Sequence, residues 1–243
     1  VNRAGRRPAW LPLVAALLVT AGFVALGVWQ LQRAAEKRAL IEMIEQGTAA
    51  PAVPLPATRA GLARGEYHRV RARGHFLVER QFLLDNQILD GRVGFDVLTP
   101  LALADGRTVL VDRGWIGAGP GREPVGPVGP DDAGPLEVTG RIWLPESGLA
   151  IGAALAPSQA GTWPRLTTRV DFAALSGALG QPLVHAVVRA QGDAPWVLQP
   201  RPLKPEFGPA RHYGYAVQWF ALALTVVVVT VTLQYRRRTR SDA

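Results

Sequence analysis

His212 is the histidine whose surroundings point to chemistry. It stands three residues before Tyr215 and seven before Trp219, spacings that place all three side chains on one face of a helix. A long uncharged run follows, so the imidazole lies within one helical turn, about 5 Å, of a membrane boundary. Far away in the chain, Gly27, Trp29 and Gln30 close another uncharged run. If both runs cross a bilayer in opposite directions, these residues share a depth with His212. Gly27 would let a flat partner or a neighbouring helix approach closely. An imidazole ligand, an apolar aromatic cleft and arginines for carboxylates (Arg33, Arg211) are the ingredients of an amphipathic tetrapyrrole site, with His212 as the metal ligand. The same residues also suit an ordinary interfacial aromatic belt with His212 capping the helix.

Other chemistry lacks its residues. None of the four serines lies in a G-x-S-x-G turn, so a hydrolase nucleophile elbow is excluded. His68, His75 and His185 form neither H-x-H nor H-E-x-x-H, and His68 and His75 are expected to be structural or solvent-facing. With no cysteine there is no disulfide framework, thiolate zinc site or thiol nucleophile. No catalytic residue is nominated. The net charge of +8 does not imply nucleic acid as a partner. Arg3, Arg6 and Arg7 sit in one tail and Arg236, Arg237, Arg238 and Arg240 in the other, leaving the middle nearly neutral.

Two spans must position the candidate residues. Ala9–Trp29 and Tyr215–Tyr235 are each 21 uncharged residues, about 30 Å as helices, which matches the hydrocarbon thickness of a bilayer. A cleaved signal peptide is the alternative for the first. Its apolar run is too long, however, and no small-x-small site precedes the charges from Arg33. The terminal arginines put both ends on the cytoplasmic side. The expected organisation is a basic tail over 1–8, a transmembrane helix over 9–32, an extracytoplasmic domain over 33–211, a second transmembrane helix over 212–235 and a basic tail over 236–243. With tails this short an attached output module is not expected, and uninterrupted, uncharged spans argue against a transporter.

The first span should continue as an amphipathic helix through Arg33–Gln46 until Gly47 and Pro51 end it. Strands are expected at Tyr67–Gly74, Gln81–Asp85, Val93–Leu101 up to a Thr-Pro turn, Thr108–Trp115, Leu136–Trp143, Leu183–Arg189 and Trp196–Gln199. Asp171 should cap a short helix that Gly180 stops. Gly117–Pro135, with six Gly and five Pro in 19 residues, reads as a loop without regular structure. The fold class is therefore a membrane protein with two transmembrane α-helices flanking a β-rich (α+β) barrel- or sandwich-like extracytoplasmic domain.

Four segments carry a resemblance: Leu26–Arg33 with Lys37, Gly91–Leu101, Val109–Trp115 and Arg211–Phe220. Together and in this order they resemble the surfeit locus protein one family, membrane proteins that assist assembly of the haem-copper cytochrome c oxidase. Asp112 departs from the Asn usual before Arg-Gly-Trp. The resemblance implies a non-enzymatic assembly factor that binds haem a and helps deliver it to the catalytic subunit. His212 would be the axial ligand, with Trp29, Tyr215, Trp219, Gly27 and Gln30 around the macrocycle. It further implies partners among oxidase subunits and the haem a synthesis machinery, besides the lipid bilayer. A haem-independent scaffold for assembly intermediates is the alternative, and a membrane-anchored periplasmic enzyme is a remoter one. A span only nine residues in leaves no mitochondrial presequence, so a bacterial inner membrane is expected. Arg113-Gly114-Trp115 is read as a strand end held by Arg–Asp pairing and a buried Trp.

Overall fold

The computed structural model describes residues 10–126, 129, 134–145, 152–155, 162–201 and 208–241. They fall into two compact units, one built from the chain's two ends and one spanning Met43–Leu203.

The first unit holds α1 (Leu11–Ala49) through Glu42 and α4 (Ala210–Ser241), both long and apolar enough to cross a membrane. Pro12 is confined to the first turn of α1, where no intrahelical N–H is needed. The hydroxyls of Thr20, Thr225, Thr230 and Thr232 each donate to the carbonyl four residues back at 2.7–2.8 Å. No threonine hydroxyl among these is thus left unbonded to lipid. Leu17, Leu18 and Val217 are two-thirds or more exposed, an apolar surface that suits hydrocarbon rather than water. α1 passes through Gly47 to Ala49, so Gly47 does not end it: one glycine costs an otherwise favourable helix only about 1 kcal/mol.

The second unit is a closed five-stranded barrel with additions. Its ring runs β2 (Arg69–Phe76), β6 (Leu136–Trp143), β8 (Leu183–Ala190), β5 (Thr108–Gly117) and β4 (Arg92–Leu103), and β4 returns to β2. Only β5–β8 is parallel within the ring. β3 (Phe82–Leu89) extends the sheet from β4, β7 (Arg165–Thr167) lies parallel to β3, and β1 (Val53–Pro54) pairs with β2. Closure occurs at Gly74 opposite Leu103 and Phe76 opposite Leu101. Gly74 is required there, since a Cβ would lie 2.1 Å from the Ala102 carbonyl oxygen. Closing the ring removes the unpaired edges that an open sheet would expose.

Alternation explains the strands. Along β2, Val70, Ala72 and Phe76 point inward while Arg71 and Arg73 stay out. Val109, Val111, Val138, Ile142 and Val188 complete the interior. On the outside, Phe82, Leu98, Leu110 and Val187 pack under Leu175 of α3 (Phe172–Leu179). β5 is buried on both faces, which is why Val109–Val111 run apolar without alternation. Asp171 caps α3 by accepting from Ala173 and Ala174 N–H at 3.1 Å, and Gly180 ends it at φ 79°.

Three further expectations need correction. Pro100 is not a turn: β4 continues through it, with Pro100 opposite Leu110 and its carbonyl accepting from Leu77 N–H at 2.9 Å. Trp196–Gln199 is not a strand: it meets the end of β5 through an isolated bridge, Trp115 to Gln199, and a Leu198 N–H bond to Arg113 O at 2.7 Å. The early part of 117–135 is built rather than shapeless. Gly119 N–H donates to Glu123 O at 2.8 Å, and Arg122 reaches Asp85 at 2.7 Å. Residues 127, 128 and 130–133 of that stretch lie outside the described residues. A further helix, α2 (Arg59–Arg64), starts at a Thr58 cap that the sequence analysis does not anticipate.

Candidate functional site

The candidate residues of the helix pair lie where α1 and α4 run antiparallel against each other. Going outward along α1, Phe23 stacks on Trp219 at 5.6 Å, Gly27 meets Phe220, and Gln30 meets His212. Phe23, Gly27 and Gln30 recur at the three- and four-residue spacing of a helix seam. On α4 the seam includes the buried Ala216 and Ala223, small residues that let helices approach.

At the centre, His212 Nδ1 lies 2.8 Å from the Gln30 amide oxygen. The oxygen can only accept, so this contact is a hydrogen bond in the tautomer that carries an N–H on Nδ1. Gln30 is buried and His212 half-buried. Gly27 serves the neighbouring helix: a Cβ there would come within 2.7 Å of the Phe220 ring. Trp219 faces Phe23, whereas Trp29 and Tyr215 are 47% and 43% exposed. Helical periodicity, with Gln30 facing His212, carries Trp29 and Tyr215 to the same flank of the pair. Arg33 also lies on that flank, its guanidinium over the Trp29 ring at 5.8 Å and bonded to Glu36 at 2.7 Å. The opposite flank holds Arg38 over Tyr213 at 5.6 Å. Phe23 and Phe220 were missed as partners, although the heptad-like spacing of residues 23, 27 and 30 was the signal that could have found them.

A haem fits this donor set in one respect that the geometry decides. Among the described residues no three His, Asp or Glu side chains group to hold a bare metal ion. A tetrapyrrole brings four nitrogens of its own, so one imidazole with a free lone pair is enough. In the neutral tautomer with an N–H on Nδ1 that lone pair would lie on Nε2.

The remaining histidines lie elsewhere. His68 Nδ1 contacts Glu66 O at 3.1 Å, His75 sits at the barrel closure opposite Ala102, and His185 stacks on Phe172 at 5.1 Å. The barrel has its own buried charges beside a cavity of about 370 Å³ lined by Asp112, Arg141, Arg189 and Arg201. Asp96 pairs with Arg201 at 2.9 Å, and Asp112 Oδ2 lies 3.3 Å from Arg189 Nε, close enough for an ion pair but not aligned as a hydrogen bond. Arg113 follows Asp112 on β5. It is fully buried and donates to Trp196 O at 2.8 Å and Gln81 Oε1 at 3.3 Å. Trp115 is buried as expected, with its indole N–H on Gln87 O at 2.9 Å.

Burial and the neighbouring Asp96 carboxylate push the Asp112 carboxyl up to about 6 from its ordinary 3.8, against the pull of Arg189. Burial raises Asp96 as well, opposed by Arg201. A raised carboxyl binds its proton more tightly in the folded state. It therefore costs no stability below the unfolded value and costs most above the folded one, so stability falls as pH rises from about 4 to about 6. Asp112→Asn keeps the acceptor for Gly114 N–H, which bonds Asp112 Oδ1 at 3.0 Å, and removes the titration. The melting temperature of the whole chain in detergent should then fall less between about pH 4 and 7 than in the parent. An unchanged slope would show that Asp112 does not titrate in this window.

Comparison with known proteins adds a second kind of observation. The model of the "SURF1 family" matches residues 17–224, which include the facing residues of both helices and the barrel. An uncharacterized SURF1-like protein of Mycobacterium bovis is 35% identical over 118 residues, 45% of this chain and 43% of that protein. Surfeit locus protein 1 of Mus musculus is 35% identical over 115 residues, 41% of this chain and 38% of that protein. A SURF1-like protein of Rickettsia conorii is 26% identical over 229 residues, covering 88% of this chain and 87% of its own. The match thus spans under half the length of the mycobacterial and mouse relatives and nearly all of the rickettsial one.

Proposed function

The chain belongs to the SURF1 family, a family of cytochrome oxidase assembly proteins, and from that premise we propose that it carries haem a to the catalytic subunit of a haem-copper oxidase. The observation that supports this most is the His212–Gln30 contact, which presents a single imidazole nitrogen at the meeting of two apolar helices. His212 Nε2 would ligate the iron. Trp29 and Tyr215 would pack on the macrocycle from the exposed flank, Trp219 would support it from the seam, and Arg33 would meet its carboxylates. Bound haem a would supply the redox-active iron that the finished oxidase needs, while this chain only holds and releases it. One protein ligand on a lipid-facing flank suits a carrier, since a partner can approach from the membrane and take the group over.

The barrel would dock on nascent oxidase subunits, with the haem a synthesis machinery as donor. The protein would reside in a bacterial inner membrane with both ends cytoplasmic and the barrel periplasmic, as the flanking arginines suggest. The test is the haem a content of the oxidase catalytic subunit purified from cells with and without this protein. The proposal expects a subunit depleted of haem a when the protein is missing. A fully loaded subunit in its absence would leave at most a scaffolding role.

A further inference from the structure

Gln30 is buried on α1 and its side chain meets the imidazole 182 residues further along the chain. We infer that Gln30 is a positioning residue: it acts on haem through His212, by fixing the ring's tautomer and orientation. The inference rests on the haem reading above and adds which nitrogen faces the iron and what makes it available.

A neutral imidazole has one N–H and one lone pair, and in isolation the proton exchanges between the two nitrogens. At 2.8 Å the Gln30 oxygen holds the proton on Nδ1. The lone pair is then confined to Nε2, the atom farther from the His212 backbone and the one able to reach a ligand on the flank. The hydrogen bond also fixes the ring plane, because it runs to the partner helix rather than to the histidine's own. Outer partners of this type orient a metal-bound histidine and raise its basicity. A mid-seam glutamine is otherwise hard to explain. Its neighbours along the seam are apolar or small (Phe23, Gly27), and a leucine would pack there without a polar atom to satisfy. In this reading Gln30 need not touch the macrocycle.

Two readouts test this. The chain is labelled with [15N]histidine, embedded in lipid nanodiscs without haem, and its His212 nitrogens are observed by NMR where the imidazole is neutral. Haem a is then titrated into the same preparation. Wild type should show Nδ1 protonated and Nε2 bare. Gln30→Leu should mix the tautomers and weaken haem a binding by roughly 10–100-fold. Gln30→Glu, a stronger acceptor of the same length, should restore the Nδ1–H form and the affinity, which a merely space-filling role would not require. Wild type with the proton on Nε2, or Gln30→Leu with unchanged affinity, would overturn the inference. If wild type shows the expected tautomer but takes up no haem a, the carrier reading itself fails and Gln30 is only a helix contact.

Discussion

His212→Ala should leave the membrane without haem a. The chain would be purified from cells that make the cofactor and its spectrum compared with wild type at equal protein. Removing a mere outer-shell partner of a metal-bound histidine costs 10–100-fold in affinity, so loss of the ligand itself should cost roughly 100-fold or more. The fold should survive. His212 is half-buried and its ring meets Gln30, while Phe23–Trp219 and Gly27–Phe220 still hold the helices together. Normal levels of a colourless protein are therefore expected. Added imidazole should recover part of the binding in His212→Gly, because the gap then admits a free ligand. Full haem a content in His212→Ala would move the site elsewhere.

Gly114→Val should have the largest effect on stability. Gly114 has φ +116°, a conformation closed to β-branched residues, and a Cβ there would lie 2.6 Å from the Gln199 carbonyl oxygen. That atom cannot retreat cheaply: Gln199 O accepts from Trp115 N–H at 2.7 Å, and Leu198 N–H donates to Arg113 O at 2.7 Å. These bonds pin residues 196–201 to the end of β5, together with Arg201 on Asp96. Backbone strain and the lost bonds should together cost roughly 3–5 kcal/mol, a large part of a typical domain's stability. Protease resistance of the barrel should fall sharply. Gly177→Ala is the control, since its added Cβ meets nothing within 4 Å inside α3. It should stabilise by about 0.5–1 kcal/mol. Equal stability of Gly114→Val and wild type would contradict the strand-end geometry.

What could be read from the sequence was what local pattern determines. The two apolar helices follow from uninterrupted uncharged runs, and α3 follows from Asp171 and Gly180 at its ends. The ring strands show themselves as apolar runs bounded by turns. Pro100 misled because its missing N–H matters only if a partner carbonyl faces it, and pairing register decides that. Trp196–Gln199 misled because it is apolar for burial on the barrel, not for pairing. β1, β7 and α2 are two, three and six residues long, too short for any period to show. At the candidate site the residue types were legible and their contacts were not. Nothing near Gln30 says that its partner lies on the last helix, and nothing near Gly27 says that Phe220 fills its gap. The barrel charges are equally non-local, since Asp96, Asp112, Arg189 and Arg201 come from four segments.

The most direct measurement is hyperfine spectroscopy of ferric haem a bound to the [15N]histidine-labelled chain in lipid. If His212 holds the iron, the electron spin will couple to one histidine nitrogen from the protein, and the coupling will vanish in His212→Ala. Haem a bound with no histidine coupling, or with a coupling that survives His212→Ala, would contradict the assignment.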